Sequence, residues 1–111
     1  MGPYTPIVRA GEWLVVSGQL GLVGGELVEG VDAQVRQALA NLASLLRSED
    51  ADLADVVKTT VFLTDMADYD AMNAAYVEAF GVHRPARSAI AVAGLPRGAL
   101  VEIEAWARLS A

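Results

Sequence analysis

An alternating segment near the C-terminus is the feature that most constrains the fold of this chain. Large side chains occupy every second position, and small or branched apolar side chains lie between them. The first set is Leu100, Glu102, Glu104, Trp106 and Arg108, and the second is Val101, Ile103, Ala105, Ala107 and Leu109. A period of two predicts a β-strand, and it places Glu102 and Glu104 on the same face of a sheet.

The segment before this strand predicts another strand, buried in character, with a permanent cation at its mouth. Pro85 fixes its own φ angle and favours an extended residue before it. Residues 87–93 are small and apolar after Arg87, and a turn at residues 94–98 leads to the alternating strand. Arg87 can bind a small carboxylate through two parallel hydrogen bonds, and Glu102 can hold or activate a water. The alternative is a salt-bridged strand pair with a solvated face.

Two segments predict amphipathic helices. Apolar residues recur at the spacing of one helical face from position 35 to 46, and Asp32 before them suits an N-cap or a first-turn acid. Asp65 is the predicted N-cap of the second helix. Gly81 is a natural residue for the position that follows its last turn.

The remaining ordered segments predict strands, and the whole order predicts an α+β fold. These strands cover residues 4–9, 13–17, 26–28 and 55–63. The order β-β-(β)-α-β-α-β-β predicts two helices packed on one face of a mixed β-sheet, in a single two-layer domain that spans residues 1–111.

The apolar content of the chain bears on its assembly. Hydrophobic residues make up 54% of the 111 residues, which is high for a small soluble monomer. A small domain has a large surface relative to its volume. Part of the apolar surface is therefore expected at a subunit interface.

Charge and composition disfavour several other classes of protein. The formal net charge is −6 and no basic run occurs, so a nucleic-acid partner is disfavoured. No apolar run could span a bilayer and no signal peptide is evident, so we predict no membrane association. The absence of cysteine fits a cytoplasmic protein. The carboxylates lack metal-ligand spacing, so no metal is predicted.

The C-terminal segment also carries a motif, P-A-R-S-x-I-x-V-x-x-L-P-x-x-x-x-V-E-I-E, from Pro85 to Glu104. This motif resembles the signature of the RidA/YjgF family. Further blocks agree with the family pattern, and they are Gly2-Pro3-Tyr4, residues 16–19, residues 57–63 with Asp65, and Asn73, Tyr76 and Phe80 in an N-x-x-Y-x-x-x-F pattern. The resemblance implies a chorismate-mutase-like fold and a homotrimer with clefts between its subunits.

The resemblance further implies an enamine/imine deaminase that converts 2-imino acids to 2-keto acids and ammonia without a cofactor. Arg87, with the backbone amides of Gly18 and Ala89, would hold the substrate carboxylate, and Glu102 would position the hydrolytic water. The substrate-binding residues implied by the family are Tyr4, Ser17, Gly18, Asn73 and Ala89.

The residues alone leave other interpretations open. From the residues alone, Gly18 is more typical of a turn that ends a strand, and Tyr4 is typical of an aromatic residue at a surface or interface. Asn73 is equally suited to tie a helix to the sheet. At the level of function, four alternatives remain. They are a non-enzymatic protein that binds 2-keto or amino acids, an enzyme that hydrolyses another small substrate such as a ring-derived enamine, the endoribonuclease activity with which some relatives are labelled, and a structural trimer without a working site.

The chain departs from the family pattern near the proposed site. Ala89 stands where many members have cysteine, and Arg84 replaces an aromatic residue before the P-A-R motif. The loop between Phe80 and Pro85 is shorter than usual. These changes leave the size of the substrate and the closure of the pocket open.

Overall fold

The computed structural model describes residues 3–110 and contains one main sheet with two helices. Gly2, part of the N-terminal motif block, lies outside the described residues. The strands are β1 Ile7–Ala10, β2 Trp13–Leu20, β3 Leu22–Val23, β4 Glu26–Leu27, β5 Val56–Leu63, β6 Ala86–Ala91 and β7 Val101–Arg108. The helices are α1 Val31–Arg47 and α2 Tyr69–Phe80, with short 3-10 turns at Leu53–Asp55, Met66–Asp68 and Pro96–Gly98.

The sheet has the strand order β1-β2-β7-β5-β6, and β3 and β4 form a separate two-stranded ribbon. Strands β5 and β6 are parallel and the other neighbours in the main sheet are antiparallel. The sheet is therefore mixed, and both helices pack on one of its faces. This arrangement confirms the predicted α+β fold.

Strand β7 shows the alternation that the sequence predicts. Val101, Ile103, Ala105 and Ala107 are fully buried beneath the helices. Glu102 and Glu104 are half-buried on the opposite face, and Trp106 is exposed there. The strand lies between β2 and β5. One of its faces belongs to the core, and the other carries the carboxylates of Glu102 and Glu104.

The prediction that β6 is a buried strand is wrong, and β6 and β7 are not neighbours in the sheet although they follow one another in the chain. Strand β5 lies between the two, so β6 is an edge strand with one neighbour. Ile90 on β6 remains 46% exposed. Small apolar residues are typical both of a buried strand and of an edge strand that a second subunit covers, so the sequence of β6 does not distinguish the two.

The predicted helix starts need one correction. Asp65 caps the 3-10 turn at Met66–Asp68 rather than α2, because its carboxylate accepts a hydrogen bond from the N–H of Ala67 at 2.9 Å. Asp68 is the residue before α2. Asp32 lies in the first turn of α1, as the sequence allows, and Gly30 is the residue before that helix. Gly81 ends α2 with a φ of 68°, as predicted.

The core fills the space between the helices and the sheet, and the other face of the sheet is open. Fully buried side chains include Leu39 and Leu42 of α1, Met72 of α2 and Ile103 of β7. On the open face Trp13 and Trp106 meet edge to face, with ring centroids 6.4 Å apart, although Trp106 is 47% exposed. Within residues 3–110 no helix is both long and apolar enough to cross a membrane.

A buried glutamine fixes the entry to β7. Gln34 of α1 is 4% exposed. Its Nε2 donates to the carbonyl of Val28 at 3.0 Å, and its Oε1 accepts from the N–H of Leu100 at 2.9 Å. One side chain therefore links α1, the loop before it and the residue that directly precedes the central strand.

Replacing Gln34→Met should lower the free energy of unfolding by about 1–3 kcal/mol, because two partly buried backbone groups, the carbonyl of Val28 and the N–H of Leu100, lose their partners. For a domain of this size, each kcal/mol corresponds to about 4–8 °C in Tm. Thermal and urea denaturation measure the change. The control, Arg36→Met on the exposed face of α1, removes only a surface ion pair with Asp32 and should cost less than about 1 kcal/mol. Equal effects of the two variants would contradict this role of Gln34.

Candidate functional site

Arg87 lies on β6 and points toward α2. Its register partner on β5 is Thr59, which is fully buried on the helix side of the sheet. The guanidinium carbon lies 4.9 Å from the centre of the Tyr76 ring and 5.7 Å from that of Tyr69. Nη2 donates to the Tyr69 hydroxyl at 3.2 Å, and Nη1 approaches the sulfur of Met72 at 3.7 Å. We call this group of side chains the arginine cage.

The cage is anchored in the core. The hydroxyls of Thr59 and Tyr76 share a hydrogen bond of 2.7 Å. Burial raises the pKa of Tyr76, and the hydrogen bond with Thr59 opposes this rise. Tyr76 therefore remains a neutral phenol at physiological pH, and its ring offers a fixed face to the cation.

The cage leaves Arg87 available to an anion. The ion pairs among residues 3–110 involve Arg9, Arg36, Arg47 and Arg108, and none includes Arg87. Its contacts are with aromatic rings, a hydroxyl and a thioether, none of which neutralises its charge. A planar guanidinium held in this way suits two parallel hydrogen bonds to a carboxylate.

Glu102 lies on the open face of β7, between the fully buried Val101 and Ile103. Burial raises the pKa of this carboxyl group, and repulsion from Glu104 raises it further. A carboxyl group whose pKa lies closer to neutrality is better suited to exchange protons at physiological pH.

Gly18 lies directly against this carboxylate. Strand β2 has an irregular register between Val16 and Gln19, opposite β7. A Cβ atom on Gly18 would lie 1.7 Å from Oε2 of Glu102. Only glycine therefore allows the carboxylate to occupy its observed position.

Tyr4 and Ser17 lie on the same side of the molecule as Gly18. Tyr4 is 55% exposed, and it lines an open pocket of about 370 Å³ together with Gly18. Ser17 holds the N-terminal segment in place: its N–H donates to the carbonyl of Pro6 and its hydroxyl to that of Thr5, each at 2.9 Å. In this structure the Ser17 hydroxyl proton is already used within the chain.

Asn73 and Ala89 lie near the arginine cage. Asn73 is one turn after Tyr69 on α2, and its buried Oδ1 has no hydrogen-bond partner among residues 3–110. Ala89 follows Arg87 by two positions on β6 and is half-buried. Residues two positions apart on a strand lie on the same face of the sheet, so Ala89 and Arg87 share a face.

The predicted site residues thus form two groups. Arg87, Asn73 and Ala89 lie near α2 and the β6 edge, whereas Ser17 and Gly18 lie on β2 and Glu102 on the adjacent β7. Tyr4 lies in the segment before β1 and lines the pocket that Gly18 forms with α1. Strand β5 separates β6 from β7, and Arg87 and Glu102 point to opposite faces of the sheet. A single copy of the chain does not bring Arg87 and Glu102 together.

The two tyrosines of the cage were not identified as site residues from the sequence. Tyr69 and Tyr76 lie seven residues apart, and this spacing is typical of the apolar face of an amphipathic helix. The signal in the sequence is limited to this spacing on a helix that is followed by a strand with Arg87 as its second residue. Within residues 3–110, no cluster of three or more histidine or acidic side chains is placed to hold a metal ion.

Comparison with known proteins identifies the family. The family model described as Endoribonuclease L-PSP matches residues 1–109. The chain belongs to the RidA/YjgF family. It is 46% identical to a mouse protein named 2-iminobutanoate/2-iminopropanoate deaminase, over 96% of this chain and 82% of the relative. It is 43% identical to a RutC family protein of Pyrococcus horikoshii, over 96% of this chain and 87% of that protein.

Solved structures of RidA/YjgF proteins have the same fold. RidA from the Antarctic bacterium Psychrobacter matches with a TM-score of 0.94 at 38% identity, over 97% of this chain and 89% of that one. Escherichia coli TdcF with bound serine matches with a TM-score of 0.93 at 33% identity, over 99% and 91% of the two chains.

From the raised pKa of Glu102 we can predict how the stability of the fold depends on pH. A carboxyl group whose pKa is higher in the folded state destabilises the fold when it ionises. This penalty is fully present above the folded-state pKa and disappears below the unfolded-state value of about 4.3. Glu102→Gln should therefore raise Tm at pH 7–8, and the gain should shrink as the pH falls toward 4.

Thermal denaturation between pH 4 and 8 measures this gain. Glu78→Gln on the exposed side of α2 removes the same charge from the surface and is the control. A Glu102→Gln variant that is less stable than wild type at pH 8 would show that the ionised carboxylate is stabilised in the fold.

Proposed function

We propose that this protein is an imine deaminase that hydrolyses 2-imino acids, and enamines of the 2-aminoacrylate type, to 2-keto acids and ammonia. The observation that carries the proposal is the arginine cage, a guanidinium fixed on two rings and free of carboxylate partners in residues 3–110. Such a group suits a small substrate with a carboxylate. The name of the mouse relative and the serine bound to TdcF, which also carries a carboxylate, support this substrate class.

We further propose that the site forms between the subunits of a homotrimer. Arg87 and Glu102 lie on opposite faces of the sheet in one copy, so a substrate that contacts both needs Arg87 of one subunit and Glu102 of the next. The exposed tryptophan pair and Ile90 provide apolar surface that an interface would cover.

In the proposed reaction the protein has two tasks: it orients the substrate toward a bound water, and it transfers protons. Arg87, with the backbone amides of Gly18 and Ala89, holds the carboxylate and presents the imine carbon to a water bound by Glu102. The carboxylate of Glu102 accepts a proton as the water oxygen bonds to that carbon. A proton then reaches the nitrogen, the C–N bond breaks, and ammonia leaves as the C=O bond forms. No cofactor takes part.

The other predicted residues have supporting roles in this proposal. Tyr4 borders the substrate, and Ser17 fixes the N-terminal segment that carries Tyr4. Asn73 offers its unused Oδ1 to the N–H of the substrate. Fixed orientation of this kind accelerates a reaction that also proceeds slowly in water.

The second candidate function is non-enzymatic binding of amino or 2-keto acids by the same cleft. The serine bound to TdcF supports the binding of a carboxylate, which both candidate functions require. An endoribonuclease activity, suggested by the family description, is less compatible with the formal net charge of −6.

Trapping of imines with semicarbazide tests the proposal. An amino-acid oxidase generates 2-imino acids, and wild-type protein should suppress semicarbazone formation. Glu102→Gln should lose at least about 100-fold in kcat/KM because the general base is absent. Arg87→Lys should lose about 10–100-fold because one charge-assisted hydrogen bond of the pair is lost.

Binding measurements separate the two candidate functions. Calorimetric titration with 2-oxobutanoate should show binding by wild type and by Glu102→Gln, and weaker binding by Arg87→Lys. Glu78→Gln is the surface control in both assays. Binding by wild type without any acceleration of imine hydrolysis would overturn the deaminase proposal in favour of the binding protein.

A further inference from the structure

Three polar residues of the motif blocks have no part in the proposed reaction, and they lie together on the open face of the sheet. Lys58 belongs to β5, Ser88 to β6 and Glu104 to β7. Thr60 of β5 is the register partner of both Ser88 and Glu104, so these two residues flank it in one row across the sheet. Lys58 lies two positions before Thr60 on the same face. A long side chain at this diagonal position can reach the residue on either side.

In the structure Lys58 contacts Ser88 and not Glu104. Its Nζ donates to Oγ of Ser88 at 2.9 Å and to the carbonyl of Thr59 at 3.1 Å. The ion pairs among residues 3–110 include neither Lys58 nor Glu104. A hydroxyl and a backbone carbonyl therefore hold the ammonium group on the β6 side, and the carboxylate of Glu104 has no cation paired with it in this part of the chain.

The charge of Glu104 acts on Glu102. Both side chains are half-buried on one face of β7, and their Cα atoms lie about 6.5 Å apart along the strand. Burial raises the pKa of Glu102, and repulsion from Glu104 raises it further. Two like charges this close to each other make it more favourable for one carboxylate to take up a proton.

The other charged groups near this face leave Glu104 without a partner. Arg108, further along β7, forms an ion pair with Glu12 at 3.1 Å. Arg9 on β1 is also held in an ion pair. Strand β2 carries no charged side chain, and Arg87 on β6 lies against α2 on the opposite face. Lys58 is therefore the cation on this face whose position decides whether Glu104 is neutralised.

We propose that Glu104 is a positioning residue that makes Glu102 a stronger base, and that Ser88 preserves this effect by holding Lys58 away from Glu104. The inference rests on the proposed deaminase function and adds residues to it. A stronger base at Glu102 favours removal of a proton from the attacking water. An ion pair between Lys58 and Glu104 would neutralise the repulsion and weaken the base.

The titration of the Glu102 carboxyl group tests this inference, followed by NMR on protein with isotope-labelled glutamate and assigned with Glu102→Gln. In Glu104→Gln its midpoint should move to lower pH by about half a pH unit or more, because the neighbouring charge is lost. In Ser88→Ala the midpoint should move in the same direction by a smaller interval, because the released Lys58 pairs with Glu104. In the proposed trimer, Arg87 of the next subunit acts on Glu102 in every variant alike.

Matched variants separate this effect from a general disturbance of the fold. Ser88→Thr keeps the hydroxyl and should keep the wild-type midpoint. Ser48→Ala at the exposed end of α1 also removes a hydroxyl that donates to a backbone carbonyl, and it should leave the midpoint unchanged. In a Lys58→Met background, Ser88→Ala should have no further effect, because no ammonium group remains to be released. An equal shift with and without Lys58 would overturn the role of Ser88.

The pH dependence of kcat/KM in the semicarbazide assay links the titration to the reaction. Its acidic limb reports the base of the free enzyme, and in Glu104→Gln it should move to lower pH together with the NMR midpoint. An unchanged NMR midpoint in Glu104→Gln, or a limb that does not follow it, would overturn the inference while imine hydrolysis itself stands. Midpoints that move as expected in a protein that hydrolyses no imine would support the charge arrangement and overturn the proposed function.

Discussion

The rest of the structure depends on β7, because one face of this strand is buried and the other is open. The strand is central, and hydrogen bonds to β2 and β5 fix its position along its length. One set of alternating side chains is buried under the helices, so the strand cannot rotate or slip by one residue without exposing the core. The other set, which includes Glu102, is therefore presented on the open face with little freedom.

Each of the two groups of site residues is fixed by the core in a different way. The arginine cage depends on the buried hydrogen bond between Thr59 and Tyr76, which fixes the ring beneath Arg87. Glu102 depends on burial, which raises its pKa, and on Gly18, which leaves space for its carboxylate. One group supplies a fixed positive charge and the other a group able to exchange protons. These are complementary functions, and in one copy they face opposite sides of a sheet.

Much of the fold followed from patterns that a sequence displays directly. The alternation in β7, the apolar stripe of α1 and the glycine at the end of α2 each have a local cause, and each was found where expected. Features that depend on distant contacts were not predictable in the same way. The edge position of β6 depends on β5 inserting between β6 and β7, and the role of Asp65 depends on a 3-10 turn before α2. The cage tyrosines became recognisable only when α2 was seen beside Arg87.

The central claim is that Arg87 and Glu102 of one site come from different subunits, and mixed oligomers test it most directly. Arg87→Ala and Glu102→Gln chains, each inactive alone, are co-expressed with different affinity tags, and assemblies that carry both tags are purified. In the proposed homotrimer, each assembly that carries both tags has one interface of three at which an intact Arg87 meets an intact Glu102, so about one third of its sites are complete. The account predicts that about this fraction of wild-type imine hydrolysis returns. If the mixed assemblies are as inactive as either variant alone, while tagged wild-type assemblies are active, the two residues do not share a site across an interface.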